Sequence, residues 1–340
     1  MVCGRCVVLA DNVGLLAPLL AFVVTWCVTR QCCRPGSWLH FLDHPNERSL
    51  HATPIPRTGG VGLMAGVAAA SLLVWLAGGV GRVLVGAVVG ALALAGLGLM
   101  DDRRSLPARL RLLVQVLVAG VFLMLLAPAG GWALGVLFLL GLVWMANLYN
   151  FMDGSDGLAG GMALFGFAAL AWAARLAGQV PLAVVCAGIA AAAAAFLCFN
   201  FHPARIFMGD AGSVPLGFLA AALGIAGREA AAWPLWFPLL VFSPFIMDAT
   251  VTLLRRALRG EKVWQAHRSH YYQRLVRMGA GHRGTALAAY ALMAATGLSA
   301  VAASQLEFSL QCGTITMWLL IYVILGWRID RAWRRHEAAV

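Results

Sequence analysis

The sequence predicts an all-α, polytopic membrane bundle of about 11 transmembrane helices, on three observations. Of its 340 residues, 61% are apolar and only 11% are charged, whereas soluble domains carry about 25% charged residues. Apolar windows of the length that crosses a bilayer, roughly 17–25 residues over ~30 Å of hydrocarbon, recur along the whole chain. Basic residues also gather in alternate connections, as they do where membrane proteins place Lys and Arg on the cytoplasmic side. The net charge of +11 is therefore read as topology and not as the footprint of nucleic acid.

The windows fall near 13–29, 59–78, 83–100, 112–127, 132–147, 158–177, 182–201, 213–227, 234–254, 285–304 and 312–328. No small-residue cleavage site follows the first, so it reads as a retained helix rather than a signal peptide. With the N-terminus outside, the inside segments hold 21 of the 25 basic residues, leaving only Arg5, Arg82, Arg175 and Arg228 outside. The C-terminus is then cytoplasmic. Gly62-x-x-x-Gly66, Gly86-x-x-x-Gly90 and Ala190–Ala195 are helix-packing surfaces, since small residues let helices approach closely in lipid. Eight cysteines without repeated spacing argue against a disulfide framework, and none of their pairs has the second ligand pair of a zinc site. Residues 1–340 read as one membrane domain, with polar segments at 30–58, 101–111, 147–157, 200–213 and 255–283.

Those polar segments carry the chemistry. In the first, Pro54 and Pro56 exclude helix, and Arg48, His51 and Arg57 are either topology-setting charges or phosphate ligands, a task that suits the planar guanidinium. In the second, adjacent Asp101 and Asp102 repel one another unless a metal ion or the arginines at 103, 104, 109 and 111 supply positive charge. The third, N-L-Y-N-F-M-D-G-S-D-G from Asn147 to Gly157, is the densest. Asn147 and Asn150 are three apart and share a face while the helix lasts, and Asp153 and Asp156 repeat that spacing among turn-forming glycines. A calcium loop is excluded, because the closing Glu and the regular ligand alternation are missing.

The fourth segment gathers Asn200, His202, Arg205, Phe207, Asp210 and Ser213. Phe207 is either a platform for a nucleobase or an interfacial aromatic. Asp248 lies inside the ninth window, where a carboxylate is either functional or the partner of a basic residue. In the fifth segment His267, Arg268 and His270 sit among further arginines, which favours an anion site over a metal site. Every cluster falls on the side assigned to the cytoplasm. Hard cations such as Mg²⁺ are held by one or two carboxylates plus substrate phosphates, so the residues alone point to a Mg²⁺-dependent enzyme acting on a phosphorylated substrate at the membrane surface. A transporter would instead spread its polar groups through the midplane, and a non-catalytic scaffold would not need the acidic motifs.

The D-D-x-x-x-L-P, N-x-x-N-x-x-D-G-x-D-G-L-A, F-M-G-D-x-G-S and H-R-S-H patterns resemble, in order and over roughly residues 45–275, the polyprenyl-phosphate N-acetylhexosamine-1-phosphate transferases. The resemblance implies transfer of a sugar 1-phosphate from a UDP-sugar donor to undecaprenyl phosphate, with release of UMP, at the cytoplasmic face of the bacterial inner membrane. It implies Mg²⁺ (or Mn²⁺ in its place) on Asn150 and Asp210, catalytic carboxylates at Asp101 and Asp102, and uracil stacking on Phe207. Asn147, Asp153, Asp156 and Asn200, with Arg48, His51 and Arg57, are expected to line the substrate pocket, and His267, Arg268 and His270 match the family's histidine-rich loop. H-R-S-H departs from the consecutive histidines of the muramoyl-pentapeptide translocase. With N-L-Y-N-F-M-D-G and E-K-V-W-Q-A-H-R-S-H-Y, it looks most like enzymes that begin O-antigens with 6-deoxy-N-acetylhexosamines such as FucNAc or QuiNAc, with a UDP-GlcNAc-specific enzyme as the alternative. Membrane lipids are the surroundings this implies, and a homodimer is compatible with it.

Overall fold

The computed structural model describes residues 4–43, 45, 53–78, 80–263 and 267–338, without the side chains of 4–11. Arg48 and His51 lie outside the described residues. Among these, ten helices are long and apolar enough to cross a membrane: α1 (Gly4–Cys32), α2 (Gly59–Leu76), α3 (Arg82–Arg104), α4 (Ala108–Leu126), α5 (Gly131–Phe151), α6 (Leu158–Leu176), α7 (Val180–Asn200), α8 (Asp210–Glu229), α12 (Gly281–Ser304) and α13 (Phe308–Glu337). The protein is a multi-pass membrane protein.

The expected ninth span, 234–254, differs. It is two helices, α9 (Trp236–Val241) and α10 (Ser243–Leu258), broken at Phe242–Pro244. Proline at the start of α10 cannot donate the hydrogen bond that would carry α9 onward. The pair runs alongside α13, from Trp236, which donates to Gln311, to Arg255, which pairs with Asp330, but it is not among the ten helices above. Short α11 (Tyr271–Leu275) then leads through a π-type turn, Val276–Ala280, into α12. Gly279 takes φ +101° there, a backbone that glycine adopts without strain.

Helix α8 is the hub. All but a few of its residues are buried, from Ala211 to Gly227, and close approach to its neighbours depends on glycine: a methyl group on Gly98 of α3 would collide with the Asp210 backbone, and one on Gly60 of α2 with Gly212. The G-x-x-x-G faces also serve packing. Gly62 and Gly66 receive Thr29 and Thr25 of α1, Gly86 meets Leu125 of α4, and Gly90 lies against Val118 and Phe218. Helices α4 and α13 present Leu113, Leu117, Met124, Leu320 and Val323 outward, as lipid-facing surfaces do, since hydrocarbon imposes no cost on them.

Two expectations about loops need correction. Asp101 and Asp102 lie within the last turn of α3 and Asp210 is the first residue of α8, because helices end at caps and not at the edge of the apolar run. Residues of the 30–58 segment also form a small antiparallel ribbon, β1 (Leu42–Asp43) with β2 (Ile55–Pro56), pairing Leu42 with Pro56 and Asp43 with Ile55.

Candidate active site

One end of the bundle collects the termini of α3, α4, α5 and α8 around a cavity of about 100 Å³, lined by Asp101, Arg111, Gln115, Asn147, Asn150 and Asp210. Of the four arginines near the acidic pair, it is Arg111 that enters this cavity: its Nη1 lies 2.7 Å from Asp101 Oδ2 and 3.3 Å from Asp210 Oδ2. The other Asp101 oxygen accepts the Leu106 N–H at 2.6 Å, and Ser105 turns the chain at φ +49°, so α3 ends with its carboxylate fixed. Asn147 is held by its Nδ2, which donates to Gln115 Oε1 at 2.7 Å and to the Val143 carbonyl at 2.8 Å. The i, i+3 spacing does bring Asn147 and Asn150 to one wall.

The acidic pair is split. Neighbouring helix residues do not face the same way: Asp101 meets Arg111, whereas Asp102, buried, reaches the backbone at the start of α8. Its oxygens accept the N–H groups of Asp210 and Ala211, each at 3.3 Å, which are unsatisfied donors at the start of α8. Arg57 reaches the same residue, with Nε 3.7 Å from Asp102 Oδ1 and Nη2 donating to the Asp102 carbonyl. Gly209, at φ +69°, makes this approach feasible, since a methyl there would run into Asp102 Oδ2 and the Arg57 carbonyl. Asp102 thus fixes where α8, and with it Asp210, begins.

Beside the cavity, the turn after α5 carries Asp153, whose carboxyl is raised well above the ordinary carboxylate range by burial and then by the charges of Asp210 and Asp102. Asp101, Asp102, Asp153 and Asp210 crowd here against Arg57 and Arg111, an excess of negative charge that is the electrostatic complement of a divalent ion. The donor set of Asp210, Asn150 and Asp153 oxygens fits Mg²⁺, a cation held by few protein ligands plus substrate phosphates. Among the described residues no group of three or more His, Cys, Asp or Glu converges as a metal site made by protein alone.

The remaining expected residues divide between surface and support. Asn200, 3% exposed, is a brace: its Oδ1 accepts the Gly157 N–H at 3.0 Å and its Nδ2 donates to the Ile206 carbonyl at 2.9 Å. Phe207 is half-buried, its N–H donating to the Pro56 carbonyl at 2.7 Å and its carbonyl accepting from Gly59 at 2.9 Å. Asp156 accepts from the Ala204 N–H at 3.1 Å and pairs with His202 Nδ1 at 2.7 Å. His282, which sequence reasoning missed, completes this corner from α12 by contacting Ser155 Oγ at 2.9 Å and stacking on His202 at 5.7 Å. Nothing in local spacing links residues 127 positions apart.

The histidine loop is only partly open. His270 is 3% exposed, with Nδ1 3.2 Å from Asp248 Oδ1, so its ring is enclosed rather than presented as a substrate contact. Asp248 settles as a structural acceptor, taking the N–H groups of Tyr271 at 2.9 Å and Tyr272 at 3.0 Å and the Thr252 hydroxyl at 3.2 Å. His267 bonds Ser269 Oγ at 2.8 Å and is pushed down to about 4 by burial, then by His270 and Arg256. Arg268 follows it, half-buried.

The protein is thus a polytopic helical bundle with an acidic, arginine-bridged cavity at one end. The model of glycosyl transferase family 4 matches residues 84–228. The chain is 31% identical, over 82% of its length and 78% of the relative's, to a decaprenyl-phosphate N-acetylglucosaminephosphotransferase of Mycobacterium tuberculosis (strain CDC 1551 / Oshkosh). It is 29% identical to a probable undecaprenyl-phosphate N-acetylglucosaminyl 1-phosphate transferase of Bacillus subtilis, covering 94% of this chain and 88% of that one. An undecaprenyl-phosphate alpha-N-acetylglucosaminyl 1-phosphate transferase of Yersinia pestis is also 29% identical, covering 86% and 85%. The chain belongs to glycosyl transferase family 4, the polyprenyl-phosphate N-acetylhexosamine-1-phosphate transferases.

Proposed function

We propose that the protein transfers an N-acetylhexosamine 1-phosphate from its UDP-sugar to undecaprenyl phosphate, releasing UMP, at the cytoplasmic face of the bacterial inner membrane. The observation that carries this reading is Arg111 standing between Asp101 and Asp210 in a cavity that also holds Asn150. Such a set binds a diphosphate and a cation together. The relatives' named substrates support the donor and acceptor classes.

Phosphoryl transfer needs in-line positioning and charge stabilisation more than covalent chemistry. A phosphate monoester has its second pKa near ~6, so the acceptor arrives largely as a dianion and attacks the sugar-bearing phosphorus directly. Arg111 receives the anionic oxygens of the phosphates, Asp101 orients the acceptor and takes any proton it retains, and Asp102 acts through the start of α8. Asn150 and Asp210, with Asp153 beside them, would hold Mg²⁺, or Mn²⁺ in its place; when bound, that ion supplies charge neutralisation across the diphosphate. Phe207 offers a face to uracil, with Asp156 and Asn200 shaping that corner.

N-acetylglucosamine is the sugar that the relatives favour. The second reading, a 6-deoxy-N-acetylhexosamine that begins an O-antigen, rests on the N-L-Y-N-F-M-D-G and E-K-V-W-Q-A-H-R-S-H-Y variants. Membranes holding the protein are incubated with undecaprenyl phosphate and UDP-GlcNAc, UDP-FucNAc or UDP-QuiNAc, and the lipid product is weighed by mass spectrometry. A lipid diphosphate sugar and free UMP are expected. Absence of product with every donor, from protein that remains folded, overturns the reading.

A further inference from the structure

A second cavity lies apart from the acidic one. A groove of about 730 Å³ runs between α10, α12 and α13, within the range of about 300–1,000 Å³ typical of ligand sites. Its walls are mostly hydrocarbon, with Ala288, Ala289 and Leu292 of α12 facing Ile321 and Leu325 of α13. Along α13 it extends from Trp318 to Asp330, about 18 Å at 1.5 Å per residue, close to the depth of one leaflet at roughly half of ~30 Å. Helix α13 is held across it by polar tethers: Trp318 Nε1 donates to Ser299 Oγ at 2.8 Å, Tyr322 and Ser243 hydroxyls meet at 2.6 Å, and Asp330 accepts from Arg274 at 2.9 Å.

The two ends of the groove differ. Toward its mouth stand Arg255, Tyr271 and Asp330, and with Arg274 on Asp330 and exposed Arg277 and Arg331 four cations face the two carboxylates that line the groove, Asp248 and Asp330. Arg277 lies over the Trp333 ring at 4.8 Å and Arg331 over Trp327 at 5.5 Å. Trp and Arg at the end of a membrane helix mark the headgroup level, where basic side chains attract anionic lipid. A hydrocarbon slot of leaflet depth with a cationic rim has the form of one phospholipid.

We propose that this groove binds one anionic phospholipid, its acyl chain between α10, α12 and α13 and its phosphate at the Arg255–Arg277–Arg331 rim. The acceptor's polyprenyl chain is the less fitting occupant. The groove shares no lining residue with the acidic cavity, and Tyr272, buried, with its hydroxyl donating to the Phe151 carbonyl at 3.2 Å, walls one from the other. A phosphate at this rim would stand apart from Asp101 and Asp210.

The test is native mass spectrometry of the full-length protein in detergent, titrated with phosphatidylglycerol, phosphatidylethanolamine or undecaprenyl phosphate. One phosphatidylglycerol should be retained per chain, with phosphatidylethanolamine retained far more weakly. Two variants fill the slot, Ala289→Phe and Gly326→Leu; a Cβ at Gly326 meets nothing nearer than Tyr271 Oη at 3.5 Å, so the added side chain has room. Both should lose the lipid. Arg277→Gln with Arg331→Gln, two exposed changes that spare the helices, should weaken retention roughly tenfold or more, at about 1 kcal/mol per basic residue. Equal retention of the zwitterionic lipid, retention undiminished in the filled and charge-neutral variants, or stoichiometric displacement by undecaprenyl phosphate would each overturn the proposal. The last would hand the groove to the acceptor.

Discussion

Arg111 is the side chain whose removal tells most about the site, because among the described residues it alone touches carboxylates from two helices there. Arg111→Ala should lower kcat/KM by about 10²–10³-fold, the usual loss when a preorganised charge stabiliser is removed. Arg111→Lys should recover only part of this, since an ammonium lacks the planar fork; full activity in the alanine variant would remove the residue from the mechanism. Both Asp101 oxygens are engaged, by Arg111 and by the Leu106 N–H, which makes it a poor nucleophile. Delipidated enzyme given UDP-sugar without acceptor should therefore release no stoichiometric burst of UMP, whereas a burst lost in Asp101→Asn would establish a covalent intermediate. Two titrations carry signs. His267, depressed to about 4, is neutral above pH ~5, and the stability it contributes is present above ~6.5 and lost as pH falls through about 4. His267→Gln should thus leave the pH–rate profile between pH 6 and 8 unmoved. Asp153, raised by burial, favours the fold in its protonated form, so metal-free protein should lose stability as pH rises through that raised value. Asp153→Asn should therefore raise the melting temperature of metal-free protein at neutral pH and lessen the further rise that Mg²⁺ gives; an undiminished Mg²⁺ effect would take Asp153 away from the cation. That Asp101, Asn147, Asn150 and Asp210 gather at one cavity was legible from residue type and motif spacing, but not which way the others face: Asp102 reaching α8 and His270 reaching Asp248 are set by tertiary partners.

At the scale of elements, the segment from α10 to α12 behaves as one polar assembly hung on two aspartates. Asp248 gathers the start of α11, and Asp330 on α13 gathers Arg255 at 2.5 Å and Arg274 at 2.9 Å. Asp248→Asn keeps the shape but removes the charge that accepts from two backbone N–H groups. Bonds to charged groups contribute about 1.5–3 kcal/mol each, so the variant should melt at a lower temperature. It should leave KM and kcat of the folded protein little changed, because the acidic cavity lies on other helices. A selective fall in kcat would place Asp248 in the chemistry instead. Helix count and packing faces could be read from hydropathy and from the G-x-x-x-G spacings, since lipid imposes both. The break at Phe242–Pro244 could have been suspected from its proline, yet a continuous apolar window concealed it. Asn200 illustrates the opposite limit: its partners at Gly157 and Ile206 belong to loops whose meeting no local pattern announces.

For the whole molecule, the traverses decide how the site relates to the membrane. Helices α3, α5, α7 and the α9–α10 pair end where α4, α6, α8 and α12 begin, and Asp101, Asn150, Asn200, Asp210 and Arg255 mark that common end. Asp330 ties α13 to the same end through Arg255, while Arg228 and Glu229 sit at the other, where Glu229 accepts from Ala129 at 3.1 Å. An odd number of crossings puts the termini on opposite sides, but only if α9–α10 spans despite its break. Basic residues then choose the compartment: 21 of 25 fall on the side of the site, and Lys and Arg in short connections mark the cytoplasm. A reporter active only in the periplasm should therefore work when fused ahead of α1 and fail when fused after α13 or inserted between Arg104 and Ala108. Signals from both termini would mean that α9–α10 does not cross and that the chain makes ten passes. A periplasmic signal from the 104–108 insertion alone, with the termini still opposed, would invert the molecule and put the acidic cavity where no nucleotide sugar is supplied.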